Sequence, residues 1–172
     1  MKFSIPFTLP NTGNEIIPLK SPVLPDYLEK CRWFGGKAYQ ITSVAIKWEI
    51  PFVVGDRIAS YIVLEVSYKE HLVEHYALPV LAVSFAEKSA FSNFPEAIIT
   101  ENETEGWLLI DAIYHEGFRN TLFDIIQNKE TISRDDVAIR GSAGKYLEAH
   151  RPTSLVSKTL ILEQSNSAVL FN

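Results

Sequence analysis

The chain has 172 residues, of which 47% are hydrophobic and 12% aromatic, which suits one sizeable packed domain or two small ones and argues against disorder. Lys and Arg total 16 against 21 Asp and Glu, so the net charge of −5 argues against a general nucleic-acid binder or a basic membrane patch. The single cysteine excludes an internal disulfide, Pro6 and Pro10 interrupt the apolar start, and no apolar run nears the roughly 20 residues of a membrane span, so the expected location is cytoplasmic.

Residues 1–20 hold Pro6, Pro10, Gly13 and Pro18 with a turn signal at 11–14, which predicts a short strand pair or an irregular arm. Ser21 and Pro22 supply a cap and a first-turn residue for a helix, in which Leu24, Tyr27, Leu28 and Cys31 recur at helical spacing. Cys31 falls on that apolar stripe, where a small buried hydrophobe is expected. The helix runs into Arg32, Trp33, Phe34, Gly35, Gly36 and Lys37, whose two glycines are expected to stop it and to allow positive φ.

Three strands follow, at 41–52, 60–69 and 72–85, with turns at Gly55–Asp56 and Glu70–His71; Pro79 is expected to break or bulge the third. Long strands joined by short turns make an antiparallel meander. Residues 86–96 suit a loop, 97–100 and 106–113 two more strands, and 115–129 the clearest helix, with Phe118, Leu122, Ile125 and Ile126 as its stripe. Beyond it come a polar stretch with a strand at 137–140, a helical turn at 145–149, a linker at 150–157, and short strands at 158–162 and 168–171. The last strand runs into the C-terminus without a cap, the pattern of a domain cut in mid-course, though a native edge strand would look the same. The fold class is α+β: a curved antiparallel β-sheet with flanking helices over residues 1–90, then a small α+β piece over 91–172.

Two spacings suggest chemistry and fail on context. His71, Glu74 and His75 spell a zinc-peptidase pattern that requires a helix, but they lie in a β-type segment. No metal site is expected, and a metalloenzyme built on His71 and His75 is the weakest of the functional readings. Gly141, Gly144 and Lys145 lack both the four-residue glycine spacing and the following hydroxyl of a phosphate loop. His115 and His150 suit caps or surface groups, and Asp135–Asp136 a solvated turn.

Two stretches resemble the maltokinase family: the 24–28 helix followed by Arg32, Trp33, Phe34, Gly35, Gly36 and Lys37, and Glu163, Gln164, Ser165, Asn166 and Ser167 followed by the strand 168–171. Between them, 106–113 with Tyr114, Phe118 and Arg119 is similar to that family's strand, turn and helix. Most of residues 22–172 agree in order and rough spacing, whereas 1–21 match nothing. Ser167 stands where the family usually has Thr, which keeps a hydroxyl, and Ala168 where it often has Ser, which removes a possible phosphate contact.

The resemblance implies an N-terminal cap (1–90) and part of a kinase-like N-lobe (91–172). It also implies a whole enzyme that uses ATP and Mg²⁺ to phosphorylate maltose at its anomeric hydroxyl. Gln164, Ser165, Asn166 and Ser167 would then touch the ATP phosphates, since a polar turn between apolar strands folds over them in such kinases. No catalytic Asp, strand lysine or metal-ligand motif follows the turn, so no catalytic residue, bound cofactor or kinase activity is expected of this chain alone. The implied partners are the chain's own C-terminal kinase lobe and trehalose synthase, to which some members are fused. A competing reading is a protein-interaction module that docks a kinase to trehalose synthase. The 32–37 segment is expected to be structural, with Trp33 and Phe34 anchoring the helix end; the alternative has Arg32 or Lys37 facing a partner or the C-lobe.

Overall fold

The computed structural model describes residues 23–149, 155–160 and 167–171; the arm at 1–20 and most of the 150–157 linker lie outside them. The fold is α+β. Helix α1 (Val23–Lys30) buries Leu24, Tyr27 and Leu28, and the chain leaves it through Cys31, which is buried as its position on the stripe requires. Strands β1 (Ile41–Val54), β2 (Arg57–Tyr68) and β3 (Val73–Ser84) form the meander. Gly55, at φ +63°, and Asp56 make the two-residue connection between β1 and β2, where a left-handed residue matches the twist of the strands.

Pro79 neither breaks nor bulges β3: the β2–β3 register runs unbroken from Ala59 opposite Leu81 to Ser67 opposite Val73. Strand β5 (Trp107–Asp111) pairs only with Val80–Ser84 on the other side of β3. Among the described residues Pro79 therefore has a single strand neighbour, the kind of position in which a missing N–H is tolerated. His75 lies on this strand, in reach of Glu65 and Lys47, so the zinc-type spacing has no helix beneath it.

The 86–96 loop contains two 3₁₀ turns, Phe85–Phe91 and Pro95–Ala97. The first opens with a capping box in which Ser84 Oγ accepts the Ala86 N–H at 3.3 Å and Glu87 Oε1 accepts the Ser84 N–H at 3.0 Å. β4 (Ile98–Asn102) then forms the far edge and β5 returns between it and β3, giving the order β1-β2-β3-β5-β4. This sheet runs across residue 90.

All five residues of β5 are buried, because helices cover both faces of the sheet. On one face, α1 packs with Ile62, Leu64, Val66, Leu78 and Leu109. On the other, α2 (Glu116–Gln127) packs Phe118 and Ile125 against Phe52, Leu81, Leu108 and Ile110. Burying each of Leu108, Leu109 and Ile110 stabilises the fold by about 1.5–3 kcal/mol. His115 caps α2: its Nδ1 accepts the Phe118 N–H at 3.2 Å.

Beyond α2 the described residues form two separate hairpins. β6 (Thr131–Arg134) and β7 (Val137–Arg140) turn at Asp135–Asp136 and lean on β1, where Arg134 pairs with Glu49 at 3.2 Å. The short helix α3 (Lys145–Ala149) follows, and β8 (Ser157–Leu160) pairs with β9 (Ala168–Phe171).

Gly35 and Gly36 do not have positive φ, contrary to the sequence-based expectation; they open a 3₁₀ turn, Gly35–Ala38. Gly36 is needed for close approach, since a Cβ there would lie 2.0 Å from the Tyr68 Oη and 2.7 Å from the Phe34 ring. Gly36→Ala should therefore lower stability in denaturant unfolding by about 1–3 kcal/mol, the cost of overpacking. Adding Tyr68→Phe, which removes the nearest atom, should recover part of that loss.

Candidate functional site

The 32–37 segment turns across the α1 face of the sheet. Phe34 is buried and its ring lies 4.9 Å from that of Tyr76; Trp33 is half-buried, 6.0 Å from the same ring. Both serve as anchors, as expected, with Phe34 the deeper. Arg32 and Lys37 are exposed. Beneath the segment the hydroxyls of Tyr68 and Tyr76 both donate to Glu74 Oε2, and together they hold the Glu74 carboxyl below its ordinary range.

Because β5 stops at Asp111 while β3 continues to Val73, a cleft opens past the end of β5. It has a volume of about 370 Å³ and wraps round the free edge of β3. Trp33 and Tyr76 line it from the α1 side, and Tyr61, Phe118 and Leu122 from the α2 side. Asp111 and Ile113 lie at its inner end, and Ser167 reaches it from the start of β9. The cleft thus brings one residue of each family-like stretch, Trp33 and Ser167, to the same place. Gln164, Ser165 and Asn166 lie outside the described residues, and Ser167 is exposed.

Asp111 is 2% exposed. Its Oδ1 accepts the Ile113 N–H at 3.0 Å, which caps the turn into α2, and its Oδ2 accepts the Tyr27 hydroxyl at a long 3.4 Å. Burial raises the carboxyl to about 7, outweighing these two donors. The same burial pushes the Tyr27 and Tyr114 hydroxyls up and the Cys31 thiol to about 12, so Cys31 is an unreactive thiol.

Arg119 fastens the β8–β9 hairpin to the sheet. Its guanidinium is buried and donates to the Ile113 carbonyl at 3.0 Å, to Ser157 Oγ at 3.1 Å and to the Ser157 carbonyl at 2.9 Å. Ser157 Oγ in turn donates to Asn120 Oδ1 at 3.0 Å, and Thr159 Oγ1 to the Ile113 carbonyl at 2.8 Å. These bonds fix the base of the hairpin whose connection contains residues 164–167.

Neither Asp111 nor Arg119 was singled out as a site residue from the sequence, although each leaves a trace there. Asp111 ends the otherwise apolar run of β5, and Arg119 adjoins Phe118 three residues before Leu122, on the inward side of α2. Among the described residues there is no group of three or more His, Cys, Asp or Glu placed to hold a metal ion. No helix among them is long and apolar enough to cross a membrane.

The family model of the maltokinase N-terminal cap domain matches residues 27–114, just over half of the chain, from α1 to the turn before α2. A search of curated proteins finds no match.

Between about pH 4, where an unfolded aspartate ionises, and pH 7, the folded chain holds a proton on Asp111 that the unfolded chain has lost. That group therefore lowers stability as pH rises through this window. Asp111→Asn should remove this contribution: denaturant unfolding should show the variant gaining on the native chain between about pH 4 and about pH 7, and levelling off above that. Arg119→Ala should raise the amide exchange rates of β8 by about tenfold or more while leaving those of β2 unchanged, because the hairpin loses two charge-assisted bonds.

Proposed function

Because the chain belongs to the maltokinase N-terminal cap domain family, we propose that it is the N-terminal, non-catalytic part of a maltokinase-like sugar kinase. In the whole enzyme ATP, with Mg²⁺, would give its γ-phosphate to the anomeric hydroxyl of maltose, yielding maltose 1-phosphate and ADP. The five-stranded sheet with α1 forms the cap, and the β8–β9 hairpin is the start of the ATP-binding lobe. The family match carries this reading.

The local chemistry supports it. A polar connection between two short strands, mounted on a buried arginine, is a suitable base for a loop that folds over phosphates. Ser167 supplies an exposed hydroxyl there, and Gln164, Ser165 and Asn166 would add amide and hydroxyl groups with their main-chain N–H donors. ATP would supply the phosphoryl group; this chain's residues would hold and orient it. Among the described residues, the cleft beside Ser167 has no Lys or Arg in its lining, which favours the loop over the cleft as the place for the phosphates. A lysine strand, a catalytic Asp and metal ligands would have to come from the kinase lobe.

Calorimetric titration of Mg-ATP, into this chain and into the full-length product of its gene, checks the proposal. Binding and maltose-dependent ATP turnover by the full-length product, with no turnover by residues 1–172 alone, is the expected result. Failure of the full-length product to bind ATP would exclude the kinase assignment.

A further inference from the structure

We propose that the free edge of β3, together with the cleft beside it, docks an extended segment of another polypeptide carrying a basic side chain, arginine foremost. The observations are independent of the phosphate-loop reading and concern the opposite requirement, a site for positive charge.

β3 spans Val73–Ser84, and β5 covers only Val80–Ser84. Among the described residues no strand pairs with the outer side of Val73–Pro79. Val73, Glu74, His75 and Ala77 are exposed. Pro79, which lacks an N–H, closes the inner end of this edge, leaving Val73 to Ala77 as a template to which an extended chain can add by main-chain hydrogen bonds.

In strand addition the side chains of the added strand seek pockets beside the edge, and the cleft is placed to be one. Its volume of about 370 Å³ is ample for one long side chain. Trp33, Tyr61 and Tyr76 supply aromatic surface, and Asp111 supplies a carboxyl at the inner end, with lone pairs beyond those used by the Ile113 N–H and the Tyr27 hydroxyl. Among the described residues no Lys or Arg lines it; His75 does, its Nε2 lying 2.8 Å from Lys47 Nζ and 3.1 Å from Glu65 Oε2. An anionic side chain would meet Glu74 on the edge and Asp111 at the inner end, and an aliphatic one would leave the Asp111 carboxyl without a charge partner. A guanidinium meets both demands, since it stacks on aromatic rings and, once docked, favours the ionised form of the Asp111 carboxyl and donates to it. Glu70 and Glu74 add negative charge along the edge, in a chain of net charge −5. The same charges disfavour a second copy of this chain, whose edge would bring Glu70 and Glu74 against their equivalents.

The test uses a capped peptide of alternating Thr and Arg, about six residues long, the usual length of a strand. Calorimetry should show saturable binding, and amide exchange should slow at Val73–Ala77. Replacing Arg by Gln or Glu in the peptide should weaken binding by about tenfold or more, the loss typical of a removed charge partner. Asp111→Asn should do the same for the Arg peptide. Methylating alternate main-chain nitrogens of the peptide should abolish binding, a control that leaves the protein's folding untouched. Equal binding of the Gln peptide, protection elsewhere on the protein, or equally tight binding of free arginine amide would each overturn the proposal. So would concentration-dependent dimerisation that protects the same amides, which would make a second copy the occupant.

Discussion

The fold depends on a five-residue strand that is apolar on both faces. β5 enters between β3 and β4, and every one of its residues is buried. A strand in that position cannot face water on either side, so each face must be covered by a helix. α1 covers one face and α2 the other, and each face has its own core. The short 3₁₀ turn from Asp111 into α2 follows directly from that demand, since the chain must leave β5 and at once lay Phe118 over Phe52.

The shortness of β5 has a second consequence. It is five residues long against twelve in β3, so the sheet is complete at one end and stepped at the other. The step is where the polar chemistry collects. Asp111 sits at the end of the short strand, held by the cap of the next turn and by Tyr27 from α1. Ile113, two residues on, gives its carbonyl to both Arg119 and Thr159. One short segment therefore closes the buried core, lines the cleft and carries the hairpin that follows. The resulting arrangement separates two kinds of site by charge: an acidic, aromatic cleft on the sheet edge, and a hydroxyl- and amide-rich connection between β8 and β9.

Much of this was legible in the sequence. The period-two stretches became strands, the Phe118–Leu122–Ile125 spacing became α2, and Cys31 and Phe34 are buried as their places on the apolar stripe and at its end indicate. The glycine pair after Trp33 and Phe34 was recognisable as necessary, but its reason was not. Positive φ is a local property that a glycine advertises, whereas the need at Gly36 comes from the Tyr68 hydroxyl, which reaches it only when β2 lies beneath the turn. Pro79 misled for the same reason: its effect depends on whether a neighbouring strand is present on its outer side, and that was set by how far β5 extends.

By itself, the sequence determined the kind of most elements, the acidic balance of charge and the two family-like stretches, because these rest on composition and on residues close together along the chain; β6 and the 3₁₀ turns at 85–97 were missed. The tertiary structure alone decided the strand order, the cleft and the joining of Arg119 to Ser157, 38 residues away. It also decided the state of Asp111, whose partner Tyr27 is 84 residues distant. Hydrophobic periodicity specifies which side of an element avoids water. It does not specify which other element meets that side, and partners, burial of charge and the shape of a cleft all follow from that second choice.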